Sequence, residues 1–172
     1  MQTALAAAAG SAVREALDAG SGVRRVPAAN FHLTLAFLGS VDVARLSEVK
    51  EIAARCAQTA DPHDVPIEIV LDTIDHWRKP QVLVATASET PPTAVALSES
   101  LKRSLVDAGF TPDLKPFRVH ATVARKVRRV TGEPRIEPVR WHFESLHLVE
   151  SKNGPDGSSY TPIGEWKLAR GV

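Results

Sequence analysis

The sequence is poor in cysteine and nearly balanced in charge, and each shortage narrows the classes of protein that it can encode. Cys56 is the single cysteine among 172 residues, which excludes an internal disulfide and a cysteine-based zinc cluster. Lysine and arginine number 21 and aspartate and glutamate 20, so the net charge of +1 argues against binding long nucleic acid over an extended basic surface. Any anionic ligand is expected to be small or held by its end.

Long apolar runs and common phosphate-binding motifs are also missing. No stretch of about 18 residues is apolar and uncharged, so no transmembrane helix is expected. The alanine-rich start, Met1 to Ala9, lacks the basic residues that open a secretory signal peptide, and we therefore expect a cytoplasmic protein without membrane contact. The sequence contains neither a glycine-rich phosphate loop nor a Gly-x-Ser-x-Gly nucleophile motif.

Hydrophobic periodicity predicts a single domain over residues 1–172, with strands and helices in the order β-α-β-α-β-β-α-β-β-β. The predicted strands are Thr3 to Ala6, Phe31 to Phe37, Val65 to Leu71, Gln81 to Ala87, Val119 to Arg125, Val139 to Glu150 and Ser159 to Leu168. The predicted helices are Ser11 to Ala19, Asp42 to Gln58 and Thr90 to Ala108. The arginine-rich stretch from Arg125 to Arg140 is predicted to be a basic loop.

Two apolar segments share a His-x-Thr pattern. The first reads Phe-His-Leu-Thr-Leu-Ala-Phe and the second Val-His-Ala-Thr-Val-Ala-Arg. Because side chains alternate between the two faces of a strand, His32 shares a face with Thr34, and His120 shares a face with Thr122. One such match is common in β structure, whereas two matches in different halves of the chain indicate a duplicated lobe.

Four polar groups in apolar strands need hydrogen-bond partners or a position in a solvent-accessible cleft. Each buried group left unpaired costs roughly 1 to 3 kcal/mol. An imidazole titrates near neutral pH and a hydroxyl both donates and accepts hydrogen bonds, so two His-x-Thr pairs can clamp an anion and move protons around it. A helix precedes each motif, which predicts an α+β fold of two pseudo-symmetric lobes, with antiparallel sheets flanking a central cleft and helices on the outside.

The residues alone leave three kinds of site open. A phosphoryl-transfer enzyme would use one histidine as acid and the other as base, in an order that the sequence does not give. A binding module would use the same donors without turnover. A metal site is the third reading, although two histidines and two hydroxyls are a poor ligand set for zinc and for hard cations.

The motifs resemble those of the two-histidine phosphoesterase superfamily and, within it, the RNA 2′,3′-cyclic phosphodiesterases, also called 2′-5′ RNA ligases. The resemblance is carried by residues 30–39, by residues 116–125 and by the ending from Val149 to Pro162, so it spans nearly the whole chain. Members of the family open with a fuller hydrophobic strand that contains an aromatic residue, and the start from Met1 to Leu5 departs from that pattern.

The resemblance implies an enzyme that needs no metal or other cofactor and hydrolyses a terminal 2′,3′-cyclic phosphate to a 2′-phosphate. It implies that His32 is the acid on the 3′ oxygen and His120 the base that activates water, with Thr34, Thr122 and Arg125 binding the phosphate. The substrate would be an RNA 3′ end or a small cyclic nucleotide. By default, a monomer without a protein partner is expected. Hydrolysis of another cyclic nucleotide and reversible 2′-5′ RNA ligation are the alternatives.

Three further side chains are candidates for nucleotide contacts. Arg118 is on the same strand face as His120 by parity, Trp77 at the predicted hairpin tip can stack on a base or pack on its own hairpin, and Tyr160 can face the cleft or the core. Arg125 presents a geometric difficulty, because it is five residues beyond His120 and a regular strand would turn it to the opposite face. It is therefore expected to reach the site from the strand end.

Overall fold

The structure, a computed structural model, describes residues 2–18, 22–59, 66–130, 135–154 and 157–169. Its helices are α1 (Gln2–Ala8), α2 (Gly10–Asp18), α3 (Leu46–Gln58) and α4 (Pro92–Asp107), and short 3-10 helices span Ala28–Asn30 and Val43–Arg45. Its strands are β1 (Arg24–Arg25), β2 (Ile67–Trp77), β3 (Val82–Thr86), β4 (His120–Arg125), β5 (Arg135–Phe143), β6 (Ser145–Gly154) and β7 (Gly157–Lys167). The predicted α+β class is confirmed. Among the described helices, none is long and apolar enough to cross a membrane.

The chain divides into two compact units. The first contains Met1–Thr34, Glu68–Thr90 and Arg118–Trp141, and the second contains Leu35–Ile67, Pro91–Phe117 and His142–Val172. Both His-x-Thr motifs fall within the first unit.

The first unit is built on a five-stranded sheet with the order β1-β4-β3-β2-β5. The pairs β1–β4, β4–β3 and β3–β2 are antiparallel. Every residue of the central strand β3 is buried, as expected for a short run of continuously apolar sequence. The adjoining strand β2 adds Ile69 and Leu71 to the core, both with no exposed surface.

The predicted first strand, Thr3 to Ala6, is wrong, because these residues lie in α1. Alanine has the highest helix propensity of all residues and is depleted in strands, so the alanine-rich start favours the helix. Leu5 anchors α1 in the core. At the start of the helix, the Gln2 side-chain amide donates a 2.9 Å hydrogen bond to the carbonyl of Phe31, the residue before His32.

The predicted strand from Phe31 to Phe37 is also wrong, because this segment is irregular and forms no sheet pairing among the described residues. Three of its carbonyls are occupied by other donors. The Phe31 carbonyl accepts from Gln2, the Leu35 carbonyl from the Ser98 hydroxyl at 2.6 Å, and the Phe37 carbonyl from the backbone N–H of Asp113 at 2.9 Å. The sequence pattern is that of an extended chain, but within the described residues no neighbouring strand pairs with it through backbone hydrogen bonds.

In the second unit, α3 packs on α4 and on the hairpin of β6 and β7. Its core includes Val49, Ile52, Cys56, Leu97, Leu101 and Leu105. The start of α4 differs from the predicted start at Thr90, since the helix begins at Pro92 with Pro91 as its N-cap. Gly109 ends the helix at φ +80°, in the left-handed region that favours glycine.

The predicted basic loop from Arg125 to Arg140 is only partly a loop. Its last part lies in β5, where Ile136 and Val139 are each 7% exposed. The Arg140 guanidinium forms a 2.6 Å ion pair with the carboxylate of Glu68. Arginines occupy much of the exposed side of this stretch. The basic composition therefore gave no indication of the two buried apolar residues in β5. Residues 131–134 of the predicted loop lie outside the described residues.

Candidate functional site

The two histidines are held in the same way. Nδ1 of His32 lies 2.8 Å from the carbonyl oxygen of Asn30, and Nδ1 of His120 lies 2.8 Å from that of Arg118. A carbonyl oxygen only accepts, so Nδ1 carries the proton in each contact and Nε2 is the ring nitrogen that can exchange a proton with a ligand. The carbonyl belongs to the residue two positions upstream in both motifs, so the repeat in the sequence is also a repeat in local structure.

The surroundings of the two rings differ. His32 is exposed, whereas His120 is partly buried. Burial lowers the pKa of His120 from its usual value of 6.5, and the positive charges of His32 and Arg118 lower it further, against the opposing effect of the Arg118 carbonyl. His120 is therefore neutral at neutral pH and able to accept a proton. The charge of His32 is one of the causes that lower the pKa of His120, so the two motifs interact electrostatically.

A β-bulge interrupts β4 within the second motif. Val84 of β3 is opposite Thr122 and the adjacent Leu83 is opposite Ala124, so Val123 is one residue more on β4 than β3 can match. Val123 and Ala124 are both buried, which means that two successive side chains point to the core and the alternation of the strand restarts.

The bulge returns Arg125 to the face of His120 and Thr122. The burial pattern agrees, because His120 and Thr122 are partly exposed, Arg125 is exposed, and the buried residues lie between them. A reach from the strand end is therefore not needed, and the expectation from regular alternation is corrected. The parity rule failed at Arg125 because one inserted residue shifts every later side chain to the other face.

The chain turns immediately after Arg125, and the turn is fixed by contacts within the first unit. Lys126 has φ +59°, in the left-handed region that is uncommon for a residue with a side chain. The next residue, Val127, is held through both of its backbone groups. Its N–H donates to the Gln81 carbonyl at 2.9 Å, and its carbonyl accepts from Nε2 of His76 at 2.8 Å. His76 therefore has a structural role at the end of β4.

The ring of Trp77 packs against the ring of His120. Trp77 ends β2, and its ring centroid lies 4.6 Å from that of His120 at an interplanar angle of 45°. The Arg118 guanidinium lies 5.3 Å from the Trp77 ring centroid and forms a 3.4 Å ion pair with Asp75. The indole Nε1 is buried and has no hydrogen-bond partner among the described residues. The structure thus pairs Trp77 with the histidine and not with an exposed hairpin tip, and base stacking stays a prediction.

The remaining predicted residues, Thr34, Thr122 and Tyr160, are divided between the two units. Thr34 is partly buried, two residues beyond His32 in the irregular segment of the first unit, and Thr122 is partly buried in β4. Tyr160 belongs to the second unit, where it lies in β7 opposite Ser151 of β6. Within the described residues, no three histidine, cysteine, aspartate or glutamate side chains are grouped so that they could hold a metal ion.

Sequence reasoning missed Arg24. This residue lies in the two-residue strand β1, directly opposite Arg125, and both side chains are exposed. Residues directly opposite each other share a sheet face, so a second guanidinium joins the face of Thr122. Like charges in such a pair repel, and an anion bound beside them would relieve the repulsion. Nothing in the sequence identifies Arg24, because a strand of two residues has no periodicity to detect.

Comparison with known proteins identifies sequence relatives. A model of the family described as LigT-like phosphoesterase matches residues 6–83. The RNA 2′,3′-cyclic phosphodiesterase of Bacillus subtilis is 30% identical over 132 residues, which cover 71% of each chain. The protein of the same name from Escherichia coli is 26% identical over 149 residues, which cover 86% of this chain and 81% of the relative.

Solved structures share the fold. Escherichia coli LigT, in a crystal structure of its complex with 3′-AMP, superposes with a TM-score of 0.76 at 23% identity over 93% of this chain and 92% of that one. A protein of Thermus thermophilus superposes with a TM-score of 0.74 at 25% identity over 96% and 92% of the two chains. The similarity therefore extends over almost the whole length of both proteins.

Proposed function

Because the chain belongs to the LigT-like phosphoesterases of the two-histidine superfamily, and is therefore an enzyme, we propose that it hydrolyses RNA 2′,3′-cyclic phosphates to 2′-phosphates. The observation that carries the proposal is the matched pair of histidines. Each has Nδ1 bonded to the carbonyl two residues upstream, which makes Nε2 the nitrogen that exchanges protons with a ligand, and His120 has a lowered pKa. Such a pair supplies both a base and an acid.

In the proposed reaction, His120 is the base and His32 the acid. Neutral His120 accepts through Nε2 the proton of a water molecule as its oxygen bonds to phosphorus. The bond between phosphorus and the 3′ oxygen breaks, and protonated His32 donates its Nε2 proton to that oxygen. The products are a 2′-phosphate and a 3′-hydroxyl, and proton exchange with solvent restores both rings. The lowered pKa of His120 supports this order of roles.

The proposed phosphate contacts come from Thr34, Thr122 and Arg125. Negative charge grows on the non-bridging oxygens as water attacks, and hydroxyl and guanidinium donors aimed at these oxygens stabilise that charge. The bulge at Val123 supports the inclusion of Arg125, because it returns this guanidinium to the face of His120. Charge-assisted hydrogen bonds of this kind are stronger than those between neutral groups.

The proposed substrate is an RNA end or a small cyclic nucleotide, bound by a monomer in the cytoplasm. The names of the two bacterial relatives and the 3′-AMP in the Escherichia coli structure support a nucleotide. The net charge of +1 supports recognition of the end of a strand and not of its length. Arg24 beside Arg125 adds positive charge at the place where the terminal phosphate would lie.

The test is hydrolysis in the absence of free metal. The purified protein is incubated with 2′,3′-cyclic AMP and with a short RNA ending in a cyclic phosphate, both in excess EDTA, and the phosphate isomer of the product is identified by chromatography. We expect a 2′-phosphate from the wild type, none from His32→Ala or His120→Ala, and full activity from His147→Ala, a matched control in β6.

Three results would contradict the proposal. Binding of both substrates by the wild type without turnover would indicate a binding module. Activity that disappears only in EDTA would indicate a metal-dependent reaction. A 3′-phosphate product would mean that the other phosphorus–oxygen bond breaks, which would reverse the placement of His32.

A further inference from the structure

A polar cleft adjoins His120 within the first unit. Its volume is about 230 Å³, and its polar lining comes from Thr73, Asp75, Thr86, Ser88, Thr90 and Arg118. Thr86 lies directly opposite His120 in the β3–β4 pair, and Thr73 lies opposite Thr86 in the β2–β3 pair. Because opposite residues share a face, the cleft opens on the side of the sheet that carries the second motif.

The size of the cleft suits one planar ring system. A cavity of about 150 Å³ holds a benzene molecule, so a nucleobase with a few waters fits in the larger volume here. The walls are hydroxyls, a carboxylate and a guanidinium, which can hydrogen-bond to the edge of a heterocycle. Few of the lining groups are apolar, so an aliphatic ligand would leave polar groups without partners.

The charges around the cleft disfavour a second phosphate. Inside it, the Asp75 carboxylate and the Arg118 guanidinium form an ion pair at 3.4 Å and cancel each other. Just behind it, the Asp72 carboxylate accepts from the Ser88 hydroxyl at 2.5 Å and from the Ser88 N–H at 2.9 Å. The Ser88 hydroxyl contributes most to lowering the pKa of Asp72, which stays negative at neutral pH. A neutral polar group is therefore favoured over an anion.

We propose that this cleft is the nucleobase subsite and that Asp75 selects bases carrying an exocyclic amino group. The Asp75 atom Oδ1 has no hydrogen-bond or ion-pair partner in the part of the chain that the structure describes, since its only contact runs through Oδ2 to Arg118. A carboxylate only accepts. Adenine, cytosine and guanine offer an amino donor, whereas uracil presents a carbonyl oxygen where cytosine presents its amine.

The proposal rests on the proposed function, because the base enters the cleft only when its phosphate lies at His120. Among the four bases, cytosine and uracil give the sharpest comparison, since they have the same size and differ at one edge. One correct hydrogen bond in place of one repulsive contact changes kcat/KM by about tenfold. We therefore expect 2′,3′-cyclic CMP to be hydrolysed about tenfold more efficiently than 2′,3′-cyclic UMP.

The test measures the ratio of kcat/KM for these two substrates. In Asp75→Asn, whose amide both donates and accepts, we expect the ratio to fall to about one or to reverse. The matched control is Asp107→Asn, on an exposed carboxylate at the end of α4, which should keep the wild-type ratio. The loss of the ion pair with Arg118 slows both substrates alike, which is why the ratio and not the rate is decisive.

The outcomes separate the subsite from the reaction. A wild-type ratio near one, or an unchanged ratio in Asp75→Asn, overturns the subsite while hydrolysis stands. If neither cyclic nucleotide nor cyclic-phosphate RNA is hydrolysed, the proposed function fails. In that case, calorimetric affinities for cytidine 2′-phosphate and uridine 2′-phosphate decide the subsite by themselves. Tighter binding of the cytidine compound, lost in Asp75→Asn, supports it, and equal binding overturns it.

Discussion

The two His-x-Thr segments are alike in sequence and unlike in their surroundings. His120 lies in β4, between two paired strands, and the Trp77 ring packs against it. His32 is exposed in an irregular segment whose preceding carbonyl is held by the Gln2 side chain. Yet Nδ1 of each ring makes the same contact with the carbonyl two residues upstream. The local backbone fixes which ring nitrogen is available, whereas the neighbouring elements fix how easily that nitrogen takes a proton.

This inequality suits a pair that must divide acid and base roles. Two identical histidines would titrate together, and in molecules with one neutral and one charged ring either ring would be the charged one equally often. Burial lowers the pKa of the His120 ring, which favours this ring as the neutral partner. Substitutions in each motif can test both their equivalence and their inequality.

The largest effect is expected from His32→Gln and His120→Gln, each of which should lower kcat by about 10² to 10⁴-fold because a general acid or base is lost. The residual rates should differ in their pH dependence. His120→Gln should remove the acidic limb of the profile, since neutral His120 is the base, and His32→Gln should remove the alkaline limb. Residual profiles that flatten on the same side would refute the division of roles.

A smaller and equal effect is expected from Thr34→Val and Thr122→Val, which remove a hydroxyl and keep the shape. Each should lower kcat by about tenfold, because one hydrogen bond to the developing charge is lost. Steady-state kinetics on 2′,3′-cyclic AMP measure both, with Thr161→Val in β7 as the control. A loss in only one variant would mean that the two motifs do not bind the phosphate equivalently.

A shift in pH dependence is expected from Trp77→Leu. The smaller side chain leaves His120 less buried, and because burial is the first cause of its lowered pKa, that pKa should rise towards its usual value. The acidic limb of the rate profile should then move to higher pH, with a loss of a few-fold near pH 6 and little change near pH 8. Trp166→Leu, a change in the second unit, should leave the limb in place. An unmoved limb in Trp77→Leu would show that other groups bury the ring.

The smallest effect concerns stability. The pKa of His120 is lower in the folded protein than the value near 6.5 of an unfolded histidine, so the unfolded chain binds more protons in this range. The free energy of unfolding should therefore decrease as the pH falls from above 6.5 through the folded pKa. Urea unfolding at a series of pH values should show a smaller loss in His120→Gln. An identical pH dependence in both proteins would contradict the assigned burial.

The sequence identified what depends on local pattern. The helices α3 and α4 and the hairpin of β2 and β3 follow from periodicity. The second His-x-Thr motif lies in a strand, as predicted, with His120 and Thr122 on its partly exposed face. The sequence did not predict features that depend on contacts with residues far away along the chain. The segment after Phe31 resembles a strand but has its carbonyls occupied by Gln2, Ser98 and Asp113. Arg24 is significant only because β1 meets β4.

The bulge in β4 has a consequence for how this site is recognised in a sequence. β4 uses six residues where β3 uses five, and that difference in length sets the side on which Arg125 emerges. Replacing Val123 by another small apolar residue would keep the count and the orientation. Removing it would keep the composition almost unchanged and turn the guanidinium towards the core. The informative quantity is the number of residues between the histidine and the arginine. Point substitutions leave this number unchanged, so they would not reveal its importance.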